Sequence, residues 1–190
     1  MAATDATEAS GHLRNPLEIA QRNKRPRFYI ELMLEHDAYY VPTLIVNTRN
    51  FDYDRETFGV SESSWRWLQL AYDAKWDSLA RAHAAGVKIA TGSDAGFLVN
   101  HGENAAELVE LVKGELSPME AIRAATSTAA ELLGLQDEIG TLHAGKQADL
   151  VVVAGDPLAD ISLLLDQTRI THVFKGGHSV KDALGALLPA

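Results

Sequence analysis

The chain has 190 residues, 46% hydrophobic and 23% charged, the mix of a soluble globular protein with one domain or one domain plus a small appendage. Its formal charge of −9 argues against non-specific binding to nucleic acid or to anionic membrane, since both would repel it. With no cysteine, disulfides and thiolate metal sites are excluded, so any metal would sit on His, Asp, Glu or water, as zinc or another divalent ion does at a hydrolytic centre. No apolar run is long enough to span a bilayer. The opening MAATDATEAS is acidic and lacks the apolar stretch of a secretory signal, so a cytoplasmic location is expected.

Residues 1–27 have little apolar periodicity and read as poorly ordered or as a short helix without a clear face. Arg22, Lys24, Arg25 and Arg27 form a basic cluster around Pro26, read as a solvated tail rather than a phosphate site. A turn or two of helix is expected over 28–36. Residues 39–46, rich in β-branched and aromatic side chains, read as a buried strand with Pro42 near its start. Residues 47–59 read as a polar loop. Over 61–85, Trp65, Leu68, Tyr72, Trp76, Leu79 and His83 recur at steps of three and four, which predicts a long helix with one apolar stripe, closed by Gly86. A short strand over 87–91 then runs into a glycine-flanked turn over 92–96. A second helix is expected over 103–112, with Ala106, Leu108, Val109 and Val112 as its apolar face.

Ser117, Pro118 and Glu120 form a helix start with a capping box, and Thr128 with Glu131 suggests another, closed by Gly134. Beyond Gly140 the period shortens: 148–153 and 170–174 read as strands, with Gly176 and Gly177 turning the chain into a hairpin. The strand–helix alternation over 41–112 predicts parallel pairing, followed by a small, mostly β unit.

Asp94 is the first candidate for chemistry. It lies just past the end of the 87–91 strand, where catalytic groups of a (β/α) barrel are placed, and Gly92 and Gly96 on either side let backbone approach a ligand closely. The residues alone leave two alternatives open. Such an Asp can cap a turn, and a glycine turn before a helix can hold a small anion.

The segment Gly86-Val87-Lys88-Ile89-Ala90-Thr91-Gly92-Ser93-Asp94-Ala95-Gly96 resembles the eighth barrel strand of the metal-dependent amidohydrolase superfamily. His101-Gly102-Glu103-Asn104 followed by Glu107-Leu108, then Ser117-Pro118-Met119-Glu120 and Ala129-Ala130-Glu131-Leu132-Leu133-Gly134, resemble the loop and helices that come next. Gly145-Lys146-Gln147-Ala148-Asp149-Leu150 and Gly155-Asp156-Pro157 are similar to the family's C-terminal β-sandwich, and Val41-Pro42-Thr43-Leu44 to the seventh strand of its imidazolonepropionase-like branch. The resemblance covers roughly residues 28–181. It implies an α/β fold: the last two βα units of a TIM barrel with connecting helices over 28–137, then part of a composite β-sandwich over 138–190. It further implies hydrolysis of carbon–nitrogen bonds in a small-molecule substrate (non-peptide amides, cyclic amides or dipeptide-like compounds). A metal-bound water would attack, with Asp94 as metal ligand and general base. The metal implied is divalent, zinc by preference, with one or two ions in a complete family member. His101 matches a loop that contacts substrate in some branches.

The family's other ligands are a His-x-His on the first strand, a lysine or glutamate on the fourth, and a histidine each on the fifth and sixth. No His-x-His occurs among His12, His36, His83, His101, His143, His172 and His178. A whole barrel needs about 200 residues, so a truncated form, inactive alone, is expected, with a complementary chain or a second copy covering the exposed barrel edges. A non-catalytic fragment or partner-binding module derived from an amidohydrolase is the alternative.

Overall fold

The computed structural model describes residues 26–49, 54–96 and 99–182. Of the sequence expectations, the reading of residues 1–25, including His12, Arg22, Lys24 and Arg25, lies outside them. Helix α1 (Pro26–Glu35) starts on a proline, whose missing N–H is an orphan donor at that position anyway. It leads to the two-residue strand β1 (Tyr39–Tyr40).

The expected strand over 39–46 stops there. Helix α2 (Leu44–Arg49) follows at once, and two local features explain the break. Pro42 offers no N–H, and Thr43 adopts a left-handed φ of 46°, which a β-branched residue takes only when its surroundings impose it. A third feature is distant. The Glu107 carboxylate accepts from the N–H groups of Leu44 (2.9 Å) and Ile45 (2.8 Å), two of the four donors a helix start leaves without partners. Tertiary contact thus overrides the β preference of the sequence. The polar loop expected over 47–59 contains the end of α2 and a short helix, α3 (Arg55–Phe58), capped by Asp54 and closed by Gly59 at φ 69°.

Helix α4 (Glu62–Ala84) is capped by Ser61. It ends as expected at Gly86, where the Gly86 and Val87 N–H groups donate to His83 (2.9 Å) and Ala82 (3.0 Å), the paired bonds of a left-handed helix stop. Its predicted stripe is fully buried only at Leu79; Lys75 and Ala82 are the other buried positions. Strand β2 (Lys88–Ile89) is shorter than the expected 87–91 and pairs with β1 in parallel, Tyr39 opposite Lys88 and Tyr40 opposite Ile89, the direction a strand–helix–strand connection dictates.

Helix α5 (Ala106–Lys113) begins three residues later than expected, after turns through Asn100 and Glu103. Its buried positions are Glu107, Leu108, Glu110 and Leu111, of which only Leu108 belongs to the predicted apolar face. Helix α6 (Pro118–Ala124) carries the full capping box of Ser117 and Glu120. The second box, Thr128 with Glu131, does not form. Helix α7 (Ser127–Leu132) has no side-chain cap, because the Thr126 hydroxyl donates back to Ile122 (2.7 Å) and Glu131 instead accepts from Lys88 (2.8 Å).

The C-terminal unit is an antiparallel sheet of β3 (Leu150–Val153), β4 (Ile170–Lys175) and β5 (His178–Asp182) in that order. Gly176 and Gly177, both at positive φ, make the β4–β5 turn. An unexpected 3₁₀ helix (Ile161–Leu165), started by Asp160, ties this unit to the helices. Ile161 is buried in the same apolar cluster as Leu44, Leu79, Ile89, Leu108 and Leu111.

Removing the Ser117 hydroxyl (Ser117→Ala) is expected to lower unfolding free energy by about 1 kcal/mol, read by urea denaturation. The Glu120 carboxyl is pushed down to about 2, first by the Ser117 hydroxyl and then by its N–H. Its contribution is therefore present above the ordinary glutamate range and lost as pH falls through about 2. The Ser117→Ala variant is expected to lose part of this acid sensitivity; an identical acid limb in both proteins contradicts the assignment.

Candidate active site

Asp94 lies in the turn that leaves β2, at the C-terminal end of the strand and on the side where β1 also ends. The turn is pinned at its ends by backbone bonds: Thr91 N–H donates to Ala124 C=O (3.1 Å) and Gly96 N–H to Val99 C=O (2.8 Å). Asp94 itself sits at φ 47° and its side chain is exposed. A left-handed conformation at an aspartate costs less than at a β-branched residue.

Gly92 is required by close approach rather than by φ. A Cβ there would lie 2.6 Å from Val41 Cγ1 and 3.2 Å from Thr43 Cγ2. The chain leaving β1 therefore lies directly against the chain leaving β2, and the backbone bond from Ala90 N–H to Tyr40 C=O (3.1 Å) begins that contact.

Against the segment that follows β1 lies a buried polar cluster that the sequence reading missed. Glu107 is fully buried and spans α5 to α2. Burial pushes its carboxyl up to about 7, against the pull of the Leu44 and Ile45 N–H groups. Lys75 of α4 is also buried. Its ammonium donates to Thr48 Oγ1 and sits 3.4 Å from a Glu110 carboxylate oxygen. It also lies 4.3 and 4.1 Å from the ring centres of Tyr72 and Trp76. Desolvation holds the Lys75 ammonium below its ordinary pKa, with Glu110 opposing. For Glu110 burial is the largest single influence and raises the carboxyl, yet Lys113 (2.7 Å) and Lys75 together leave it below the usual range. The only sequence signal was Glu107 and Glu110 spaced by three within an otherwise apolar helix, and periodicity cannot tell a buried, paired glutamate from a solvated one.

His101 lies in an exposed turn between β2 and α5. No described contact joins it to Asp94. His83 pairs with Glu120 (3.1 Å) and His172 with Asp182 (3.3 Å), while His36, His143 and His178 are exposed. Among the described residues no three His, Asp or Glu side chains converge as a metal would require. A catalytic zinc takes about three protein ligands, so the described residues do not by themselves fit that group. No helix among them is long and apolar enough to cross a membrane.

The chain matches the amidohydrolase family over residues 18–180 and belongs to it. Among particular relatives, ochratoxinase of Aspergillus niger is 36% identical over 153 residues, 80% of this chain and 31% of that protein; its crystal structure superposes with a TM-score of 0.68. A Xaa-Pro dipeptidase with methionine bound in its active site is 34% identical, with a TM-score of 0.72, over 80% of this chain and 36% of that one. A prolidase complexed with N-methylphosphonate-L-proline is 34% identical, with a TM-score of 0.71, over 80% and 37%. The chain thus spans about a third of the length of the relatives it matches.

Two outcomes are expected. Gly92→Ala places a methyl group in the Val41–Thr43 contact and should cost about 1–3 kcal/mol, read by urea denaturation; an unchanged midpoint contradicts the close approach. Because the folded Glu107 carboxyl is raised from its ordinary value, its contribution is fully present below pH 4.5 and lost as pH rises through about 7. The stability of the wild type relative to Glu107→Gln should therefore fall by on the order of 3 kcal/mol between those limits.

Proposed function

We propose that this chain supplies the Asp94-bearing part of a hydrolase that acts on carbon–nitrogen bonds. The observation that carries the reading is the position of Asp94, an exposed carboxylate in the turn after β2, in a chain of the amidohydrolase family. In this reading residues 28–137 are the last two βα units of a TIM barrel with their connecting helices, and 138–190 part of a composite β-sandwich. The substrate is an amide, a cyclic amide or a dipeptide-like compound. Relatives named as an ochratoxinase, a Xaa-Pro dipeptidase and a prolidase favour the dipeptide-like class. Asp94 accepts a proton from the attacking water and returns it to the leaving nitrogen. His101, in the loop that follows, contacts substrate.

A divalent metal, zinc by preference, would polarise the scissile carbonyl in such an enzyme. Its remaining ligands must come from outside the described residues, from further polypeptide carrying a His-x-His or from a second chain.

The reading is tested by assaying Xaa-Pro dipeptides and N-acyl amides with divalent metal, using the chain alone and mixed with a His-x-His-bearing polypeptide from a family member. Activity in the mixture is expected to drop at least about 100-fold in Asp94→Asn, with the fold unchanged by circular dichroism; a near wild-type rate overturns the role of Asp94. His101→Ala should raise KM or lower the rate modestly, and unchanged kinetics would make it a surface residue.

A further inference from the structure

We propose that Glu107 is a positioning residue for Asp94: its buried carboxylate fixes the chain leaving β1, and that chain is the wall against which the Asp94 turn is set. The inference rests on the assignment of Asp94 as the proton-transferring carboxylate.

Three observations form a continuous path. Glu107 is fully buried, and its two oxygens are each taken by a backbone N–H of consecutive residues, Leu44 and Ile45. Those donors leave Thr43 held at φ 46°, an orientation that this residue type adopts only under constraint. Thr43 and Val41 in turn close on Gly92, leaving no room for a methyl group, two residues before Asp94. Between its pinned ends at Thr91 and Gly96, the turn has this wall as its closest neighbour at Gly92.

A glutamine of the same shape offers one acceptor where the carboxylate offers two, so it can satisfy only one of the two N–H groups. Protonation of Glu107 acts in the same direction, since the oxygen that takes the proton becomes a weaker acceptor for its N–H. The groups facing Glu107 are Tyr40 on β1, Lys75 on α4 and Glu110 on α5. Tyr40 lies above its ordinary pKa and Glu110 below its own, so neither titrates near neutrality, where Glu107 does.

The test is amide exchange and nitrogen–proton correlation NMR on the full chain between pH 5.5 and 8.5, for wild type, Glu107→Gln and Asp94→Asn. In Glu107→Gln, protection of the Leu44 or Ile45 amide is expected to drop about tenfold, with resonances of 92–94 displaced while those of β3 to β5 stay in place. In the wild type, amides of 43–45 and 92–94 should shift together with one midpoint near 7, and Asp94→Asn should leave that midpoint unchanged. Movement at 43–45 with none at 92–94, in either the variant or the wild-type titration, overturns the proposal, since Glu107 would then support only its own helix cap. Loss of protection spread evenly over the chain overturns it too. Because these signals need no turnover, a failed hydrolysis assay and a failed positioning role are read separately.

Discussion

A carboxylate shut away from water has to find its hydrogen bonds inside the protein, and Glu107 finds them on the backbone of Leu44 and Ile45. That link joins the helix after β2 to the helix after β1 across 62 and 63 residues of chain. The two strands themselves are only two residues long and meet over two pairs, too little to fix the elements around them. The buried glutamate, with Lys75 bridging Thr48 of α2 to Glu110 of α5, supplies the specificity that so short a sheet lacks. The apolar cluster of Leu44, Leu79, Leu108, Leu111 and Ile161 supplies the bulk of the burial. Polar groups sealed in this way are costly when any one partner is removed, which makes the cluster a strict requirement rather than an ornament of the core.

Much of the architecture was legible in the residues. Gly86 and the Ser117–Glu120 box marked helix ends because each acts through its own neighbours, a glycine at left-handed φ or a hydroxyl three residues from its donor. The hairpin at Gly176 and Gly177 was equally local. The failures share the opposite property. The strand expected over 39–46 ends at Tyr40 and gives way to a helix from Leu44, whose first N–H groups are held by Glu107, a residue distant in sequence, and Glu131 left its expected capping role for Lys88 of β2. The apolar face of α5 was misread, apart from Leu108, because backbone N–H groups partner Glu107 and lysines pair with Glu110, so that two glutamates occupy buried positions. Asp94 was singled out from its place after a strand and between glycines, but the wall that Val41 and Thr43 form against Gly92 involves two segments that no local pattern connects.

Family membership and the geometry of this turn combine into one account. A chain spanning about a third of its relatives carries one exposed carboxylate at a strand end and the internal scaffold that holds it there. Among the described residues no three His, Asp or Glu side chains converge as a metal would require, and the proposed hydrolysis therefore draws on ligands beyond them.

The most direct measurement is the number of divalent ions bound per purified chain, by elemental mass spectrometry after equilibration with zinc. The account predicts a stoichiometry near zero for the chain alone, rising only when a His-x-His-bearing polypeptide is added and falling again with Asp94→Asn. One ion per chain in the isolated protein, lost on Asp94→Asn, would contradict it: a complete site would then be assembled from residues assigned here to other roles.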